Sequence, residues 1–234
     1  MTLKVIAYAH NGHGDKFGIP RQSREESPIV TRIVFEPEYA VQEAIRGIEG
    51  YSHLWLIWGF SEMPQACDMS DWSPTVRPPR LGGNTRMGVF ATRSPFRPNP
   101  LGLSSVRLLK VQSYKVQGTK DFRMELLVSG ADLMDGTPIY DIKPYLSFSD
   151  SHEDAQNGFA EGTANYELKI QNFECPDVPE DVSEDIKYIL SQDPRPAYQA
   201  DPEREYKMDY AGWRVTFSVD GGTVFVRMIE QKHK

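Results

Sequence analysis

The sequence predicts a mainly-β chain, with a barrel or sandwich over residues 1–150 and a small α+β unit over 164–234. Three observations carry that reading. Seven short runs rich in Val, Ile, Leu and aromatics are separated by turn residues. A polar stretch, Asp150–Thr163, then breaks the pattern and reads as a linker over 151–163. Beyond it come one helical period and one hairpin pattern.

The strand-like runs are Leu3–Ala9, Ile29–Phe35, His53–Phe60, Met87–Ala91, Ser105–Val111, Phe122–Ser129 and Pro138–Ile142. A helix is expected over Pro37–Arg46. Pro37 falls in the first turn, Glu36 and Glu38 sit at the positive end of the helix dipole, and Gly47 can close it. In the second unit Asn165–Ile170 reads as a strand. Pro179–Gln192 reads as a helix with Val182, Ile186, Ile189 and Leu190 on one face, stopped by Asp193-Pro194. Trp213, Val215, Phe217 and Val219 then alternate with polar residues, Asp220-Gly221-Gly222 turns the chain, and Thr223–Ile229 returns.

Composition bounds the function. With 39% apolar and 25% charged residues over 234 positions, the chain is an ordinary globular one. It has no run of 18 apolar residues, so no membrane span is expected. The first residues lack a signal peptide's apolar core, and Cys67 and Cys175 make no disulfide framework, so a reducing cytoplasm is expected. A net charge of -7 argues at face value against nucleic acid, but its distribution argues the other way. No Asp or Glu lies between Asp71 and Asp121, where nine Arg and Lys give +9 and leave -16 for the remainder.

The densest part of that segment runs from Arg77 to Ser104. Its prolines and glycines impose an irregular backbone path, and its arginines suit bidentate contact with carboxylate or phosphate. Phe90 and Phe96 offer faces for stacking on a base. The residues alone make this an anion-binding surface without naming the anion, and a rigid loop of solvated arginines is the plainer alternative. A second constellation, Asp132 to Tyr145, gathers three carboxylates, a Lys and two tyrosines around a Gly-Thr-Pro turn, itself an ordinary turn signal. There is no G-x-G-x-x-G and no P-loop, which argues against a Rossmann nucleotide site. His10-Asn11-Gly12-His13 is not completed by other ligands, so no metal is expected, and His53 reads as a core or rim histidine.

Five stretches together resemble the TrmO (TsaA-like or YaeB-like) family. They are Phe17–Gln22, Tyr51–Trp55, the Arg77–Ser104 run, Asp132–Tyr145 and Gln192–Tyr198, with Gly88–Gly102 close to a family signature. The resemblance implies a single-sheet TsaA-like β-barrel used as a homodimer and followed by the small C-terminal domain of bacterial members. It implies an S-adenosylmethionine-dependent methyltransferase that acts on threonylcarbamoyl-adenosine beside the anticodon, at position 37 of threonine tRNA. Carried onto this sequence, the cofactor contacts fall at Arg21, Gln22, Ser23, Ser61, Glu62, Arg93, Leu103, Asp132, Leu133, Met134 and Asp135. Ser61 and Glu62 stand where the chain departs from the family pattern. Local carboxylate density makes Asp135 the first candidate for a general base, with Asp141 and Tyr140 behind it. Arg77, Arg80, Arg86, Arg97 and Arg195 are left for RNA. A non-catalytic nucleotide- or RNA-binding barrel, or a methyltransferase with another acceptor, remains the alternative.

Overall fold

Buried and more exposed side chains alternate along much of six strands, which close into a barrel with the buried face inside. In the computed structural model, which describes residues 2–20, 22–60, 72–78, 81, 84–115, 122–161, 167–195 and 201–232, these strands are β1 (Ala7–His10), β2 (Val30–Phe35), β3 (His53–Gly59), β6 (Leu101–Lys115), β7 (Phe122–Ser129) and β8 (Pro138–Pro144). A small two-stranded hairpin, β4 (Thr75–Val76) with β5 (Met87–Gly88), interrupts the β3–β6 connection. The barrel order is β1-β2-β7-β6-β3-β8, and every pairing is antiparallel. Six strands enclose a narrow interior, which suits Ala7 and Ala9 on β1 opposite larger Ile33, Leu54, Leu56, Leu126, Val128 and Ile139. Closure also pairs the strand edges that would otherwise recruit another chain.

β6 carries the curvature. Its first half pairs with β3 and its second with β7, and Arg107 is in register with both His53 and Ser129. The register shifts between Leu108 and Lys110 just past that switch, as expected where a strand must bend from one neighbour to the next. The sequence pattern marks only Ser105–Val111 because the ends of this strand are partly exposed and lack clean alternation.

Two expected elements differ. Pro37–Arg46 is not a helix: Pro37–Tyr39 turns, Val41 is extended, and short 3-10 turns follow at Gln42–Ile45 and Ile48–Gly50. None of the residues in these two 3-10 turns is fully buried, only Ile48 packs against the barrel core, and so little packing offsets the cost of helix nucleation. Met87–Ala91 is strand only at Met87–Gly88, after which Val89–Ala91 forms a 3-10 turn.

After α1 (Ser147–Asp150) the described residues of the polar stretch hold one 3-10 turn, Gly158–Ala160. A second sheet follows in the order β10-β11-β12-β9, built from β9 (Lys169–Gln171), β10 (Tyr206–Tyr210), β11 (Trp213–Asp220) and β12 (Thr223–Gln231). The expected strand Asn165–Ile170 is present as Lys169–Gln171; residues 165 and 166 lie outside the described set. Helix α2 (Glu180–Ser191) contributes Ile186, Ile189 and Leu190 to a core with Val215, Phe217, Val219 and Val224. Acids fill its first turn, and Asp193, at φ 50, leads the chain out before Pro194. Gly221 and Gly222, at φ 51 and 81, form the two-residue β11–β12 turn, whose twist requires left-handed residues. Among the described residues no helix is long and apolar enough to cross a membrane.

Candidate active site

Antiparallel closure brings distant segments together. β1, β3 and β7 run one way and β2, β6 and β8 the other, so the β1–β2, β3–β6 and β7–β8 connections all leave the same end of the barrel. These connections hold Gln22 and Ser23, Arg93, and Asp132 to Asp135, with Leu103 at the start of β6. Arg21, Ser61, Glu62 and Arg80 lie outside the described residues.

Asp132 is the centre of this end. Ser104, fully buried on β6, donates its hydroxyl to Asp132 Oδ1, and Trp58 Nε1 donates to Ser104 Oγ at 2.9 Å. Burial pushes the Asp132 carboxyl up from its ordinary value, while the Ser104 hydroxyl, the Arg93 charge and the Ser23 backbone N–H oppose that shift. Arg93 donates Nη1 to Gln22 Oε1, which ties the β3–β6 connection to the β1–β2 connection. Leu133 sends its side chain into the barrel core, and its carbonyl accepts from Asn11 Nδ2 at 2.9 Å, so any ligand contact there is a backbone one. Met134 beside it is partly buried.

Asp135 forms a neighbouring cluster with the end of β1. Its Oδ1 accepts from the Asn11 N–H and lies 3.2 Å from His10 Nδ1. Its own N–H donates to the His13 carbonyl at 2.9 Å. Its side chain is 47% exposed, so a substrate proton can reach it. The other two base candidates sit elsewhere. Asp141 lies on the outer wall in register with Ile57, which pairs on its other side with Leu103, and Lys143 Nζ is 3.0 Å from its carboxylate. Tyr140 covers Gly59 at the end of β3.

The acid-free segment divides by use. Arg107 pairs with Glu25, which also faces His53. Arg97 donates to the carbonyls of Thr92 and Val89 and so holds the turn after β5. Arg77 and Arg86 flank the β4–β5 hairpin and are exposed, Arg86 also donating to Thr75 Oγ1 at 3.3 Å. At the foot of the hairpin Trp72 and Phe90 are exposed with ring centroids 5.9 Å apart. Arg195, by contrast, forks onto Asp193 at 2.8 and 3.0 Å, with its side chain only 14% exposed.

The family model of the tRNA-methyltransferase O N-terminal domain matches residues 8–151, and that of the TrmO C-terminal domain matches residues 163–232. The chain belongs to the TrmO family. A tRNA (adenine(37)-N6)-methyltransferase of Eikenella corrodens is 43% identical over 76% of this chain and 97% of its own length. One of Escherichia coli K12 is 38% identical over 93% and 91%. A probable S-adenosyl-L-methionine-binding protein of Pyrococcus abyssi is 30% identical over 69% and 77%. The crystal structure of TrmO from P. aeruginosa superposes with a TM-score of 0.71 at 28% identity, covering 99% of this chain and 97% of that one.

Within this TrmO-family barrel, Trp58, Ser104, Asn11 and His10 are site residues that the sequence does not single out. Ser104 carried a signal: strand alternation places it inside the barrel, where a hydroxyl needs a partner. In the sequence Asn11 stands only between two histidines that make no metal site, whereas in the fold it is the polar hub joining Thr31, Leu133, His13 and Asp135. Among the described residues no cluster of three or more His, Cys, Asp or Glu could hold a metal ion.

Proposed function

We propose that this chain uses S-adenosylmethionine to methylate N6 of adenine 37 in tRNA, with threonylcarbamoyl-adenosine of threonine tRNA as the acceptor. In this reading it works as a cytoplasmic homodimer, with a barrel domain over 1–150, a 151–163 linker and a C-terminal domain over 164–234. The supporting observation is the meeting of Gln22, Ser23, Arg93 and Asp132 at one barrel end, on connections that also carry the exposed Arg77 and Arg86.

The donor set there suits the cofactor. Its carboxylate matches the Arg93 guanidinium, its hydroxyl and amino donors match the Asp132 carboxylate, and Leu103, 55% exposed, offers an apolar face to the adenine. Bound there, the cofactor supplies an activated methyl group, so the protein's main task is to hold the acceptor nitrogen in line with it. The acceptor is a ureido nitrogen of low basicity. It gains a methyl carbon and loses its proton, and Asp135 is the carboxylate placed to take that proton. Asp135→Asn is expected to lower the single-turnover rate about a hundredfold while both substrates still bind. A full rate would move the role to Asp141 or Tyr140. Arg77 and Arg86 serve the RNA backbone and the Trp72–Phe90 pair stacks on an unpaired base; Arg97 and Arg195, engaged by the protein itself, contribute less.

The test is transfer of labelled methyl to threonine tRNA with and without its threonylcarbamoyl group. Label in the modified tRNA alone supports the reading. Label in both relaxes the acceptor to any adenine 37, and binding without transfer overturns the enzymatic claim.

A further inference from the structure

The described residues of the β1–β2 connection form no regular structure, and the connection is held from outside the barrel. Gly12 lies against the Tyr210 ring of the second sheet, so closely that a Cβ there would come within 2.5 to 2.9 Å of the ring carbons. The Gly12 carbonyl accepts from the N–H of Ala211 at 2.9 Å. Ala211 begins the two-residue β10–β11 turn at φ 48, a left-handed conformation that a residue with a Cβ adopts at some cost. The His13 ring is 1% exposed and meets Tyr210 edge-on, with centroids 5.0 Å apart at 69°. Burial lowers its pKa to about 4, so the ring sits there neutral. The Tyr210 hydroxyl is itself anchored, donating to Asp185 of α2 at 2.6 Å.

The contact continues along the connection. Phe17 stacks on Tyr206, Gly18 at φ 95 leaves room for Met208, and Ile29 belongs to the same buried cluster as Phe217 and Ile189. The stretch holding Gln22 and Ser23 is therefore fastened to the second sheet on both sides. Asp135 is tied to the same place, because its N–H donates to the His13 carbonyl and its carboxylate accepts from the Asn11 N–H.

We infer that Tyr210 is a positioning residue: its ring and the β10–β11 turn seat the Asn11–His13 corner, and through it hold Gln22, Ser23 and Asp135 in the geometry that binds the cofactor. The C-terminal sheet thus acts on cofactor affinity without touching the cofactor. This rests on the reading of the barrel end as a cofactor site. A connection left loose would have to be ordered on binding, and that entropy would be drawn from the binding free energy.

Calorimetric titration of the full chain with S-adenosylhomocysteine tests this, paired with hydrogen exchange at the amides of residues 10–24 and 135. Tyr210→Phe keeps the ring and should bind like the parent. Tyr210→Ala should weaken binding about tenfold and speed exchange at His13 and Asp135, leaving tRNA affinity unchanged. Gly12→Ala reaches the same contact from the barrel side, removes nothing from the C-terminal core, and should weaken binding alike. Parent-like affinity in both Tyr210→Ala and Gly12→Ala overturns the positioning role. Failure of the parent chain itself to bind overturns the cofactor-site reading, and the inference with it.

Discussion

Glu125 on β7 has a side chain only 7% exposed, and Arg32 on β2 answers it with Nε and Nη2 at 2.9 and 2.7 Å from the same carboxylate oxygen. Removing the arginine strands a buried carboxylate. Arg32→Met should cost about 2–3 kcal/mol in urea unfolding, and adding Glu125→Gln should recover most of it. Asp209 poses the pH question. Hydrogen bonds from Arg214 at 2.8 and 2.9 Å and from Lys232 at 2.7 Å hold its pKa down to about 2. A depressed carboxylate pKa stabilises the fold above the unfolded value, and the contribution is lost as pH falls from about 4 towards 2. Asp209→Asn should therefore be less stable than the parent by about 1 kcal/mol at pH 7, with the gap closing across that window. The Arg32–Glu125 pairing was not legible in sequence, since the two are 93 positions apart and only the β2–β7 register makes them neighbours; Asp209 and Arg214, five positions apart, face each other across the β10–β11 hairpin.

Elements were legible where local chemistry decides them. Helix α2 and the β11–β12 hairpin lie within a residue or two of their expected bounds because a proline, acids, an apolar face and a two-glycine turn all act within a few positions. Gly222→Val, at φ 81, should cost about 1–2 kcal/mol of urea stability by forcing a β-branched residue into a left-handed turn. The segment at Pro37–Arg46 had the caps of a helix, but none of the residues of the 3-10 turn formed there is buried, and it stayed in turns. Caps assist a helix that packing already favours; they do not replace the packing.

At the scale of the molecule, charge is divided. The acid-free segment keeps Arg77 and Arg86 exposed on one hairpin, while Arg107 is answered by Glu25 from another connection. Replacing Arg77 and Arg86 together with Gln should weaken tRNA binding and flatten its dependence on log salt by roughly one unit of slope per lost phosphate contact. An unchanged slope would exclude both from the phosphate backbone. The same scale explains the candidate site, in which Gln22, Arg93 and Asp132 come from three connections and meet only because the barrel closes.

The strand-rich character of the chain, the polar break after residue 150, the helix and hairpin of the second unit, and the family resemblance carried by five separated motifs are all readable from the residues. These depend on periodicity, turn chemistry and residue identity over short spans. Closure of the barrel and its packing on the second sheet set three contacts: Arg107 is answered by Glu25, Asp135 and not Asp141 neighbours His10 and Asn11, and Tyr210 lies on Gly12. Each of those is a contact between residues far apart in the chain, set by strand register and closure, and local preferences carry no information about it.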